Sequence, residues 1–378
     1  MSLLKTVSDF WKAVQLEFFP RVEEEIGPLT SNHKKLISIL EMIQIQRFVR
    51  DGSYRGRPAK DRGKMARAFI AKVVLQLRYT IQLIDYLKSD KQLRLICGWD
   101  TAKEIPSESK FSRVFEEFAQ MELPQRVHEL FIQSAYEDQL ILHVTKDSVP
   151  VEVRESVAEK PNTPKAWKKK KRQRQGKALT PAPKTRIERQ FSGEMSLDEM
   201  LQDLPKTCDH GTKTDAKGFK LTWKGYKLHA AIDDYCVPIS VILTSASTHD
   251  SQVAIPLATK SDKLVDSCYD LMDSAYNIKE ILEHSRSLGH VPLAAPWPKN
   301  TAAKEEIKEE EKRRRIIGWK PAEAIRYCQR SKAERFNALF KDYYSGNNIR
   351  VRGYKKVACH VMFGVLTLAC VLLMNLIQ

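Results

Sequence analysis

The sequence predicts a mixed α/β sheet covered by helices and preceded by an all-helical region. Three observations carry this. Up to residue 139 apolar residues recur at three- and four-residue steps, the spacing of helices with one buried face. From about residue 140 the pattern changes to short apolar runs that end in polar turns, which reads as strands. Beyond 140 these runs alternate with helical stretches, the order expected of a sheet with helical cover.

In the N-terminal part the helical spacing is clearest over Leu36–Phe48, Phe69–Leu87 and Phe111–Phe118, with Pro106-Ser107 as a start signal before the last. Gly98–Pro106 is a candidate turn between two helices. Leu140–Thr145 reads as a buried strand that ends at Lys146-Asp147. Residues 150–215 are rich in Pro, Lys, Gln and acids and poor in large apolar side chains, so they read as an insertion, in part disordered. Phe219 to Ile232 alternates about Lys224-Gly225, a strand with a bulge or kink. A strand over Val237–Leu243, a helix near Ser251–Lys260, a strand at Tyr269–Met272, a helix at Ile278–Leu288 and a strand at Val291–Ala295 follow. A charged helix (Ala302–Arg315), a helix over Tyr327–Lys341 and a terminal helix over about Lys355–Leu376 complete the chain. The domains expected are thus 1–139 and 140–378, the second interrupted at 150–215.

The chain has 378 residues, 42% of them hydrophobic, which is enough for real cores and excludes global disorder. Lys and Arg number 63 against 47 acids, a net charge of +16 that points to a polyanionic partner. The excess is local: residues 160–189 hold twelve Lys or Arg, Lys169 and Lys170 among them, and a single acid. A second basic stretch, Arg47–Arg67, includes Arg55 and Arg57 and suits phosphate contact. Seven cysteines, none in a Cys-x-x-Cys pair, argue against a disulfide framework and for a reducing compartment. Cys208-Asp209-His210 lacks a second half with zinc spacing. No secretory signal is visible, and the fourteen apolar residues Val361–Met374 fit a buried helix better than a membrane span.

Two acids, Asp147 and Asp273, end short apolar runs, where open α/β sheets place their crevices. If those strands are parallel neighbours, the carboxylates converge, an arrangement suited to a hard cation and phosphoryl transfer. On a helical wheel started at Tyr327, Arg330, Glu334 and Lys341 fall at about −60°, −20° and −40°. An acid thus sits among two cations and a phenol on one stripe, opposite the apolar face of Ala333, Phe336, Leu339 and Phe340.

The spacing Tyr327-(2)-Arg330-(3)-Glu334-(6)-Lys341 resembles the Tyr-Arg-Glu-Lys signature of bacterial insertion-sequence DDE transposases. Met272-Asp273-Ser274-Ala275-Tyr276 resembles the second-aspartate motif of that family, and Lys146-Asp147-Ser148 the first, with Val149 where the family usually has Thr. Gly225-Tyr226-Lys227-Leu228-His229 and Thr248-His249-Asp250-Ser251 resemble two further blocks. The gap from 273 to 334 is too short for the β-rich insert of the best-known members.

The resemblance implies an RNase H-like catalytic domain behind a helical DNA-binding one. Asp147, Asp273 and Glu334 would be the catalytic acids holding two Mg²⁺ or Mn²⁺, and Tyr327, Arg330, Lys341 and Lys227 would contact DNA. The expected activity is cleavage of double-stranded transposon ends, at terminal inverted repeats, and their joining to target DNA. A homodimer in the synaptic complex, a bacterial cytoplasmic location and no membrane partner go with it. Two other classes would use similar residues, a metal-dependent nuclease without strand transfer and a non-catalytic DNA-binding descendant. Intact acids favour an enzyme, and strand joining separates transposase from nuclease.

Overall fold

The computed structural model describes residues 18–49, 61–157, 183–214, 218–296 and 301–377. Among the described residues seven α-helices come first: α1 (Phe19–Ile26), α2 (Ser31–Ile43), α3 (Arg62–Val74), α4 (Thr80–Ser89), α5 (Lys91–Cys97), α6 (Glu108–Gln120) and α7 (Leu123–Ala135). The stretch Phe69–Leu87 is two helices rather than one. The chain turns after α3 at Gln76, in left-handed backbone (φ 53°), before α4 begins. Phe69 of α3 meets Phe111, Phe115 and Phe118 of α6 edge-on, at centroid distances of 5.0–6.2 Å.

The sheet then forms from β1 (Leu140–Glu152), β2 (Asp209–Thr214), β3 (Lys220–Ile232), β4 (Pro238–Ser245), β5 (Asp266–Met272) and β6 (Val291–Ala294). β3 runs antiparallel to β1 on one side and to β4 on the other, while β5 is parallel to β1 and β6 to β5. Antiparallel meander followed by parallel strands is the RNase H-like arrangement. Helices α10 (Ala254–Asp262) and α11 (Lys279–Ser287) cover it, α11 being the crossover from β5 to β6.

Gly225 marks the point where β3 changes partner from β2 to β4. Its φ is +146°, and a Cβ there would lie 2.2 Å from the Val151 carbonyl oxygen, so only glycine permits this approach to β1.

Two expectations change here. β1 continues to Glu152, so Asp147 lies within a strand rather than past its end. Pairing with β3 over Thr145–Glu152 sustains it after β5 has stopped at Met272, and Pro150 falls where that second edge is open. The second half of the 150–215 segment is ordered. It forms α8 (Arg186–Phe191) and α9 (Leu197–Asp203), each started by a reciprocal capping box (Thr185 with Glu188, Ser196 with Glu199), and then β2. Met200, Leu204 and Cys208 are its buried anchors.

The last elements are α12 (Thr301–Ile316), α13 (Ala322–Tyr327), α14 (Ser331–Tyr343) and α15 (Tyr354–Ile377). α15 is apolar and long enough to cross a membrane by length and composition, yet 78% of that window is buried in the fold. It packs on α2, α3, α6 and α7 and on β4, so one core runs from the N-terminal helices into the sheet. Gly364 lets α15 approach the end of α14, since a Cβ there would lie 2.2 Å from the Tyr344 carbonyl oxygen.

Candidate active site

The parallel register of β1 and β5 pairs Lys146 with Met272, so Asp147 and Asp273 come next, side by side, at the end of β5. Asp273 turns the chain: its carboxylate caps the 3-10 turn Ser274–Tyr276 by accepting from the Ala275 N–H at 2.9 Å. Asp147 accepts from Asn337 Nδ2 of α14 at 3.0 Å. Burial raises the pKa of Asp147. The Ser148 N–H and the charges of Arg330 and Lys213 oppose this, and Asp273 adds to it. Lys213 comes from β2, the strand not foreseen in the sequence.

Side chains alternate along a strand, so Lys146 points to the opposite face of the sheet. There its ammonium lies 2.6 Å from Asp270, with both side chains 2% exposed. Ser285 donates to the same carboxylate at 2.6 Å. Burial alone would raise Asp270; the Lys146 charge and the bonds from His290 and Ser285 hold it well below the usual carboxylate range. This pair clamps β1 to β5 directly beneath the two candidate acids.

A second network holds the neighbour of Asp147. Ser148 Oγ donates to Asp250 Oδ2 at 3.0 Å, and Lys227 Nζ donates to Asp250 Oδ1 at 3.0 Å and to the Thr248 carbonyl at 2.9 Å. Burial works against the charge on Asp250, but Lys227 and the Ser148 hydroxyl keep its pKa below the ordinary value. His229, fully buried behind it, is pushed down to about 4 by desolvation and stays neutral. Lys227, expected on DNA, thus spends its ammonium inside the fold.

Tyr276 is 1% exposed, and its hydroxyl has no hydrogen-bond partner among the described residues. Burial and the charges of Asp250, Asp147 and Asp273 raise its pKa well above that of a free phenol.

The helix expected over Tyr327–Lys341 is broken. Cys328–Arg330 is a 3-10 turn between α13 and α14. Residues three apart eclipse on such a turn, so Arg330 falls in line with Tyr327. Glu334 and Lys341 then follow at about +40° and +20° from Arg330, and the shared stripe survives. Ala333, Phe336 and Phe340 form the buried opposite face. Tyr327 is half-buried; desolvation and the aspartates Asp273 and Asp147 raise its pKa against the pull of Arg330. Arg330 lies 3.8 Å from Glu334, whose side chain is 72% exposed. Lys341 has no hydrogen bond or ion pair among the described residues. Arg55, Arg57, Lys169 and Lys170 lie outside the described residues.

Among the described residues no three His, Cys, Asp or Glu side chains gather closely enough to hold a metal ion. The donor chemistry of the centre nevertheless suits a hard divalent cation. Asp273 raises the pKa of the desolvated Asp147 beside it, and the Tyr276 hydroxyl near both has no hydrogen-bond partner among the described residues. Glu334 is the one expected ligand that stands apart, at the surface three residues before Asn337. The sequence reading missed Asn337, Lys213, Lys146 with Asp270, and Tyr276. Lys146 and Tyr276 lay within recognised motifs, but without a role of their own.

A family model described as "Transposase DDE domain" matches residues 193–370, and one described as "Transposase domain (DUF772)" matches residues 24–117. The first includes Asp273 and Glu334; Asp147 lies between the two matched stretches. Comparisons with curated proteins and with solved structures give no match. DDE transposases bind DNA and depend on a divalent metal. With both of its parts matched in order and its RNase H-like sheet in place, the chain belongs to the DDE transposases of insertion sequences, which cut and join DNA strands.

Proposed function

We propose that Asp147, Asp273 and Glu334 are the catalytic acids of this transposase and hold two Mg²⁺ or Mn²⁺ ions. The observation that carries this is the parallel register of β1 and β5, which sets Asp147 beside Asp273 under the helix that bears Glu334. Held by these carboxylates, divalent cations would supply Lewis acidity for the attacking oxygen and the leaving 3′ oxygen. The protein's own part is positional. The Lys146–Asp270 clamp keeps the two strands in register, and the Lys227–Asp250–Ser148 chain steadies β1 beside Asp147. Tyr327, Arg330 and Lys341 lie on one stripe and grip phosphates of the transposon end, with Lys213 reaching the same place from β2. Residues 1–139 form the helical DNA-binding part, and Arg55, Arg57, Lys169 and Lys170 add phosphate contacts. The substrates are terminal inverted repeats and target duplex, brought together by a homodimer. A bacterial cytoplasm suits this reading, all seven cysteines being free.

The test is cleavage of a labelled duplex carrying the inverted repeats that flank the gene, in Mg²⁺, by wild type and by Glu334→Ala. Loss of cleavage in the variant with DNA binding retained is the expected result. Cleavage that persists in Glu334→Ala and in Asp273→Ala would overturn the assignment.

A further inference from the structure

We infer that Asn337 is a positioning residue that fixes the carboxylate of Asp147 for metal binding and ties it to the helix of Glu334. This rests on the reading of Asp147 as a metal ligand. A carboxylate rotates freely about its terminal bond unless a neighbour holds it. Here Asn337 Nδ2 donates to Oδ2 at 3.0 Å, which occupies one oxygen and sets the direction of the other. The donor is itself held. Its helix, α14, packs on β1 through the buried Ala333, Phe336 and Phe340, and Asn337 follows Phe336 at the edge of that packed face. Glu334 precedes it by three residues on the same helix, less than one turn. One hydrogen bond therefore relates two proposed ligands that come from elements about 190 residues apart in the chain. Groups that orient a metal ligand in this way contribute about 10–100-fold to metal affinity.

The same bond distinguishes Asn337 from a merely structural residue. Its side chain is not part of the apolar face, so replacing it should leave folding intact and disturb the ion. Leucine removes the donor at nearly constant shape, whereas histidine keeps a ring N–H at the same distance from the backbone.

The experiment is calorimetric titration of Mn²⁺ into the full chain, with Tm and affinity for end DNA measured on the same samples, for wild type, Asn337→Leu, Asn337→His and Asp147→Asn. Asn337→Leu should bind Mn²⁺ about 10–100-fold more weakly with wild-type Tm and DNA affinity, and Asn337→His should bind close to wild type. Wild-type Mn²⁺ affinity in Asn337→Leu, with binding lost in Asp147→Asn, would overturn the inference and leave the site assignment standing. Wild-type affinity in Asp147→Asn as well would overturn the assignment of Asp147 itself. Should Asn337→Leu lower Tm, the contrast between Asn337→His and Asn337→Ser decides. Serine is too short to reach Asp147, and equal Mn²⁺ affinity in these two variants would refute the inference.

Discussion

Lys227 shows how a single side chain changes meaning when the chain folds. In the motif Gly225–His229 it reads as a cation for DNA. In the structure its ammonium bonds Asp250 and the Thr248 carbonyl, and its side chain is 13% exposed. Lys227→Met should therefore act first on stability, because it leaves the carboxylate of Asp250 desolvated and without its cation. Breaking such a pair from one side costs on the order of 3 kcal/mol. Urea denaturation should record that loss, while the salt dependence of DNA affinity stays at the wild-type slope. A flatter slope with wild-type stability would return Lys227 to the DNA surface. The pairing of Lys227 with Asp250 was invisible in sequence because the partner lies 23 residues away and only the β3–β4 hairpin brings it back. Asn337 was invisible for a different reason. An uncharged amide on a helix edge has no spacing signal, and its partner is on a strand of the other half of the molecule. Asp273, Arg330 and Glu334 stood out as candidates because their spacing and neighbours are local.

Strands and helices were legible where one face is apolar, and were misread where backbone geometry decides. β3, β4, β5 and α15 fall close to their expected limits, since alternation or an unbroken apolar run marks them. The 3-10 turn at Cys328–Arg330 leaves no mark in hydrophobic pattern; the extension of β1 does, in the alternating and buried Val149, Val151 and Val153, but Pro150 argues against a strand there. β2 was missed because DHGTKT has almost no apolar content; it is held by the ladder to β3 instead. The β1–β5 pair carries a prediction at this scale. Lys146→Met strands Asp270 in the interior and should cost about 3–5 kcal/mol, whereas Lys146→Met with Asp270→Leu should recover much of it. The folded pKa of Asp270 lies below its unfolded value. Its stabilisation is thus present above about pH 4 and is lost as pH falls below that. The turn from β3 to β4 has the opposite sign. Asp233 accepts from the Tyr136 hydroxyl and from the N–H groups of Tyr235 and Val237, yet burial pushes its pKa up to about 6. A raised carboxyl contributes fully below its unfolded pKa of about 4 and loses that contribution as pH rises through 6. Asp233→Asn should then gain stability relative to wild type between pH 4 and 7, by on the order of 2–3 kcal/mol. Denaturation curves at the two pH values would show it, and a constant difference between the proteins would refute it.

At the scale of the whole molecule, the change from helical to strand pattern near residue 140 was legible because it is a change of period. The common core was not, because the helix that joins the two parts, α15, comes last in the chain and inserts among the first helices. The basic segment calls for a similar correction. Read as sequence, residues 160–189 are the most basic part of an insertion that is in part disordered. In the structure its last part is folded and its charges are spoken for. Lys184 pairs with Glu194 at 2.8 Å, and Arg186 and Arg189 both reach Asp203, at 2.6 and 3.2 Å. The other nine of the twelve cations precede residue 183 and lie outside the described residues. Deleting 160–182 should remove the sequence-independent affinity while α8 and its bonds to Asp203 remain. Every phosphate that this segment no longer neutralises should flatten the slope of log K against log salt by about 0.9, and cleavage at saturating end DNA should persist. Arg186→Ala with Arg189→Ala tests the folded end of the segment. It should lower stability by unpairing Asp203 and leave the salt slope where it was. A slope unchanged by the deletion, or flattened by the double substitution instead, would place the electrostatic grip on the folded surface and not on the segment that precedes it.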